Sequence, residues 1–244
     1  MELGVLVLGL VAGWIVNYLA DVLPAAGSLT QPACWNCGST LPWKRYFLFR
    51  RCAVCSRWRP VRTPIVQLTI PVALLYLWLV PPHKLEFPLA AILFVYLALI
   101  TVVDMEHRLI LHLTSFAGLL LGLGIGTHLH GLAPTLAGGA AGYGIMLLFY
   151  ALGVLFVRYI NRRRAQPIDE VALGYGDVNL AGIAGLLLGW PGIIFGLLFT
   201  ILAGGLASAG VIVVMLVRRR YHAFSAIPYG PFLVLSIAVL LLRP

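Results

Sequence analysis

Apolar residues run along this chain in long blocks separated by short polar segments. Blocks long enough to cross a hydrocarbon core of about 30 Å, at about 1.5 Å of rise per helical residue, recur through almost the whole sequence. Eight are read, at about 3–23, 64–82, 87–104, 110–129, 132–159, 172–190, 192–217 and 225–242. The pattern predicts an all-α integral membrane protein of about eight transmembrane helices. The first block is read as a retained helix, because no Lys or Arg precedes it and its apolar stretch exceeds a signal-peptide core. No period of about 20–50 residues repeats, so repeat architectures drop out. Three parts are expected: 1–23 as a first transmembrane helix, 24–63 as a polar insertion, and 64–244 as a polytopic membrane core.

Composition agrees with this pattern. Of 244 residues, 61% are apolar and 10% charged, with a mean hydropathy of +0.98, which lies outside the range of water-soluble domains. The net charge of +9 invites a nucleic-acid reading until the basic residues are placed. Fifteen of the 17 fall in four segments: 24–63, Arg108, Arg158 to Arg164, and Arg218 to Arg220. With eight helices those segments share one side, leaving Lys84 and Arg243 opposite, as expected of cytoplasmic loops. The charge therefore reads as topology plus attraction to a lipid bilayer, with no nucleic-acid partner and with both termini outward.

The 24–63 insertion holds all four cysteines, as Cys34-Trp-Asn-Cys37 and Cys52-Ala-Val-Cys55 with 14 residues between the pairs. Two such pairs on tight turns place four thiolates around Zn²⁺, and Gly38 suits the first turn. Four thiolates fill the coordination sphere, so the metal is expected to be structural. Trp35, Trp43, Phe47 and Phe49 are expected to form the small core of this insertion.

Eight acidic residues remain to be explained, since a carboxylate near hydrocarbon is costly. Glu2, Asp21 and Glu86 sit at helix ends, and Asp169 and Glu170 balance neighbouring arginines. Asp104 ends the third apolar block, and Asp177 follows Gly174-Tyr175-Gly176 in apolar surroundings. As bland roles, Asp177 would cap the helix starting at Val178, and Asp104 would pair with His107 or Arg108. As functional roles, two carboxylates at one membrane depth serve peptide hydrolysis by activated water. One takes a proton from water while its protonated partner donates to the scissile carbonyl. This reading expects Asp104 and Asp177 to face each other in a recess open to the cytoplasm, with the Gly174–Gly176 stretch departing from helix. The glycine groups Gly138, Gly139, Gly142 and Gly204, Gly205, Ala209 are read as packing surfaces, and His128 and His130 as solvated loop.

These residues resemble the type IV prepilin leader peptidase and N-methyltransferase family, the GxGD-type membrane aspartic proteases. The resemblance rests on an ordered set. Asn17 and Leu23-Pro24 come first, then the paired CxxC motifs, then Val103-Asp104 with Leu109-Ile110. Glu170-Val-Ala-Leu-Gly174-Tyr-Gly176-Asp177 follows, and Ile227-Pro228-Tyr229-Gly230-Pro231-Phe232 closes it. Leu111, His112 and Asn179 depart from the family's usual residues. The resemblance implies catalytic Asp104 and Asp177 supported by Gly174 and Gly176, and a zinc module of Cys34, Cys37, Cys52 and Cys55. It implies cleavage of the basic leader of pilin-like precursors, prepilins or pseudopilins, at the cytoplasmic face of the inner membrane. It also implies, in many members, N-methylation of the new terminus by S-adenosylmethionine. The rival readings are a zinc-stapled membrane scaffold and a transporter, neither of which needs both aspartates.

Overall fold

The computed structural model describes residues 1–162, 174–218 and 229–243. Their helices are α1 (Glu2–Ala26), α2 (Trp43–Phe47), α3 (Arg62–Leu79), α4 (Phe87–His107), α5 (His112–His130), α6 (Leu132–Asn161), α7 (Tyr175–Leu188), α8 (Gly192–Val217) and α9 (Gly230–Leu241). Six of them, α1, α3, α4, α5, α6 and α8, are long and apolar enough to cross a membrane, while α7 and α9 are shorter apolar helices. The only β-pairing among the described residues is an isolated bridge between Ala33 and Thr40. The chain is an all-helical integral membrane protein. Glu170 to Leu173 and Ile227-Pro228 of the motifs, together with Asp169, lie outside the described residues.

The chain divides into two compact units, Met1–Leu109 and Ile110–Arg243. In the first, α1 packs antiparallel on α3 in a ladder of small and polar residues spaced four apart. A Cβ on Gly9 would meet the Pro71 Cα at 2.5 Å, and one on Gly13 would meet the Gln67 side chain at 3.0 Å. One rung on, the Asn17 side-chain amide donates to the Thr63 carbonyl at 3.2 Å. The Gln67 amide also donates to the Leu10 carbonyl at 2.8 Å. Without a hydrophobic drive between helices in lipid, close backbone approach and interhelical hydrogen bonds are what hold such a pair. Gly27 ends α1 in the left-handed region (φ 65°), its N–H donating to the Leu23 carbonyl at 2.9 Å.

In the second unit α7 is central, packed by α5, α6, α8 and α9, with nine of its residues from Val178 to Leu188 buried. Gly138, Gly139 and Gly142 let α6 lie directly on it, as expected. A Cβ on Gly138 would meet the Gly185 carbonyl at 2.4 Å, and one on Gly142 the Ala181 carbonyl at 2.4 Å. The other glycine group behaves differently: a Cβ on Gly204 would reach nothing nearer than Phe232 at 3.6 Å, and one on Gly205 nothing within 4 Å. His128 and His130 lie in the last turn of α5 rather than in a loop, and the His130 ring sits 3.3 Å from the Leu187 carbonyl.

Candidate active site and metal centre

The insertion folds around its cysteines. Each CxxC pair turns on the same backbone plan. In the first, the Gly38 N–H donates to the Cys34 carbonyl (2.8 Å) and the Cys34 N–H to the Ser39 carbonyl (2.8 Å). In the second, the Ser56 N–H donates to the Cys52 carbonyl and the Cys52 N–H to the Arg57 carbonyl, both at 3.1 Å. Gly38 (φ 69°) and Ser56 (φ 54°) occupy the same left-handed position. The turns bring the four sulfur atoms within 4.8 Å of one another, with Cys34 to Cys55 at 3.6 Å and Cys37 to Cys52 at 3.7 Å. Tetrahedral thiolates at a Zn–S distance of about 2.3 Å stand about 3.8 Å apart, so the donor set fits zinc. The Cys52 thiol is pulled down to about 6, first by the Cys55 backbone N–H and next by the Ser39 side chain. Burial pushes Cys34 up to about 11.

The core around the cysteines is not the aromatic set read from the sequence. Leu41 and Tyr46 are buried with Cys34 and Cys52, and Tyr18 of α1 packs against them. Trp35 is 62% exposed, Trp43 44% and Phe47 36%. Tyr46 is chosen because its hydroxyl has a partner: it donates to Asp21 Oδ2 at 2.6 Å. Arg59 donates to the same oxygen at 2.6 Å, and its guanidinium lies 3.9 Å from the Tyr46 ring centre. Arg62 bridges the other Asp21 oxygen and Glu106. Burial, then the Asp21 charge, push the Tyr46 phenol well above its ordinary value. Asp21, dismissed in the sequence as a helix-end acid, ties the module to the helices. It lies four residues beyond Asn17 as Arg59 lies four before Thr63, extending the α1 ladder by one rung.

Asp104 lies in the last turn and a half of α4, on a buried stripe with Tyr96, Leu97, Ile100 and Val103, and is itself 5% exposed. Its backbone carbonyl accepts the N–H of Arg108, which closes the helix in the left-handed region. His107, one of the partners suggested for Asp104 by helical spacing, lies 3.9 Å from Glu106.

Asp177 is partly exposed in the first turn of α7. It is not the cap before Val178: the helix starts at Tyr175, with Gly174 as N-cap. Asp177 Oδ2 accepts from the Gly174 N–H at 3.1 Å, and its own N–H donates to the Gly174 carbonyl at 3.1 Å. Only Gly174 is extended (φ −77°, ψ 150°), so the departure from helix expected at Gly176 is absent. Gly176 serves a contact instead, since a Cβ there would meet the Ile110 Cβ at 2.8 Å. Tyr175 is fixed by the Tyr143 hydroxyl at 2.7 Å and the Tyr150 ring at 5.8 Å. α9, which begins at Gly230, packs on α7.

The model of the type IV leader peptidase family matches residues 91–209, a stretch that contains both aspartates. Residues 91–209, just under half of the chain, are similar to the type IV leader peptidase family. The prepilin leader peptidase/N-methyltransferase of Aeromonas hydrophila is 28% identical over 106 residues, covering 43% of this chain and 35% of that relative. The match thus spans about a third of the length of that relative. No solved structure matches the chain. The resemblance read from the sequence is borne out over the central region, whereas the cysteine module precedes it.

Proposed function

We propose that this protein is an aspartic endopeptidase of the inner membrane that removes the basic leader from pilin-like precursors at the cytoplasmic face. Asp104 and Asp177 form its acid–base pair. The observation that carries the reading is the family match across 91–209, with both carboxylates inside it. One ionised carboxylate takes a proton from water as that water attacks the scissile carbonyl; the other, protonated, donates to the carbonyl oxygen. No covalent intermediate is needed. Gly174 and Gly176 support the site by forming the turn and the close contact that set Asp177 in its first-turn position.

In this reading the cysteine module carries one structural zinc on the cytoplasmic side. The residues that would hold it are Cys34, Cys37, Cys52 and Cys55. Methyl transfer from S-adenosylmethionine to the new terminus is a separate hypothesis, taken from the name of the relative. It is tested by the mass of the cleaved product with and without that donor.

The deciding experiment incubates purified protein with a pilin-like precursor from the same genome. Asp104→Asn and Asp177→Asn are each expected to cut the cleavage rate by about 10³-fold or more while leaving thermal unfolding in detergent unchanged. Substantial residual cleavage by either variant sinks the pair. Absence of cleavage by the unaltered, folded protein returns it to a scaffold or transporter role.

A further inference from the structure

We propose that the α2 segment is an interfacial anchor for anionic phospholipid, in which Trp43, Phe47 and Leu48 enter the headgroup–acyl boundary and Lys44, Arg45 and Arg50 hold lipid phosphates. On α1, Val7, Val11, Trp14 and Tyr18 form one stripe at helical spacing. Val7 is 53% exposed and Val11 42%, so this stripe faces lipid toward the middle of the helix. One turn further on, α2 covers it. The Phe47 ring meets Trp14 at 5.7 Å, the Trp43 ring meets Tyr18 at 5.3 Å, and Trp43 and Phe47 stack on each other at 5.8 Å. α2 therefore lies on the lipid-facing side of a membrane span.

Its depth follows from the same contacts. Tyr18 stands eight residues before the end of α1 at Ala26, about 12 Å along the axis, so its partner Trp43 lies below the end of the span. The Tyr18 hydroxyl donates to the Thr30 carbonyl at 2.9 Å, so this ring is apolar toward the span and polar toward the loop. Lys44, Arg45 and Arg50 are exposed, and no acidic side chain among the described residues pairs with them. Basic residues beside exposed aromatic ones on a helix lying along a bilayer are what an anionic lipid surface recognises. Trp43 and Phe47 are exposed because lipid, not the module core, is their environment.

The test uses the full chain in nanodiscs of phosphatidylcholine alone and of phosphatidylcholine with phosphatidylglycerol, reading amide hydrogen exchange of residues 43–51. Exchange is expected to be several-fold slower with phosphatidylglycerol. That protection should disappear in the Lys44→Glu/Arg45→Glu variant, with bound zinc and exchange at the cysteine turns unchanged. Equal exchange in the two lipids overturns the proposal. So does protection that appears in detergent and grows with protein concentration, because a second copy would then be the occupant. If the double variant fails to fold, the lipid comparison on the unaltered protein still decides.

Discussion

The cysteine module and the α6–α7 pair each bring backbone segments into close contact, in opposite solvents. In the module the contacts are directional: four thiols within 4.8 Å of one another, and Asp21 gripped by Tyr46, Arg59 and Arg62. Between α6 and α7 they are non-directional, with glycine surfaces set so closely that a methyl on Gly185 would fall 2.1 Å from the Gly138 carbonyl. In water a short loop cannot bury enough apolar area and needs a staple. In lipid, helix surfaces gain nothing from leaving the solvent, so van der Waals fit and small residues decide. Each device fails differently, and that separates them experimentally.

Chelation has the largest effect. Structural zinc sites have apparent binding free energies on the order of 10 kcal/mol, all of it coupled to folding. Removing metal, or replacing the four cysteines by serine, is expected to abolish bound zinc, about one per chain, and to release amide protection over residues 30–59. Protection across α6 and α7 should persist. Loss of protection in both regions would show that the two devices are not independent. Second comes Gly185→Ala, which forces α6 and α7 apart at the backbone. It is expected to cost about 3 kcal/mol, read as a lowered Tm in detergent, with zinc content unchanged. Gly144→Ala is its control, because nothing lies within 4 Å of a Cβ there.

The same contrast explains what was legible in the sequence. Apolar length belongs to each segment by itself, so the blocks at 3–23, 87–104 and 192–217 reappear as Glu2–Ala26, Phe87–His107 and Gly192–Val217. Cysteine chemistry is written in spacing, and the four thiols converge as the two CxxC pairs imply. What depends on register between distant segments was not legible. Asp21 finds Arg59 and Arg62 only because α1 and α3 pair in one register, and Tyr46, buried with its hydroxyl on Asp21, takes the core place read for Trp35, which instead donates to the Trp58 carbonyl at the surface. The capping role read for Asp177 placed the helix start at Val178, three residues late, since an extended Gly174 starts the helix at Tyr175. The bond from Asp177 Oδ2 back to the Gly174 N–H then supplies the cap.

Asp21→Asn tests the join between the module and its helices. The carboxylate is 22% exposed and its arginines 10% and 12%, so the fully buried penalty is discounted to about 2–3 kcal/mol. Zinc should remain bound, because Asp21 bonds to Tyr46, Arg59 and Arg62 and to no cysteine among the described residues, while exchange near Tyr46 and Arg59 accelerates. Zinc loss in this variant would mean that the staple depends on the anchor, which the geometry of the four sulfurs does not require.

The smallest effect probes the matched turns of the two CxxC pairs. Gly38 and Ser56 share the left-handed conformation, and a side chain there costs about 1–2 kcal/mol. Glycine avoids that cost but gives back about 0.5–1 kcal/mol through the greater freedom of its unfolded chain. Ser56→Gly should therefore stabilise the module by about 0.5 kcal/mol, since the Ser56 hydroxyl makes no hydrogen bond among the described residues. Gly38→Ala should destabilise it by a similar amount; nothing lies within 4 Å of a Cβ there, so backbone strain alone is measured. Zinc retention against a graded chelator reads both on one scale, where 0.5 kcal/mol is about a twofold shift in midpoint. Opposite shifts of similar size are what two equivalent turns produce. A shift of the same sign in both would mean that the second turn relies on the serine for something its backbone does not reveal.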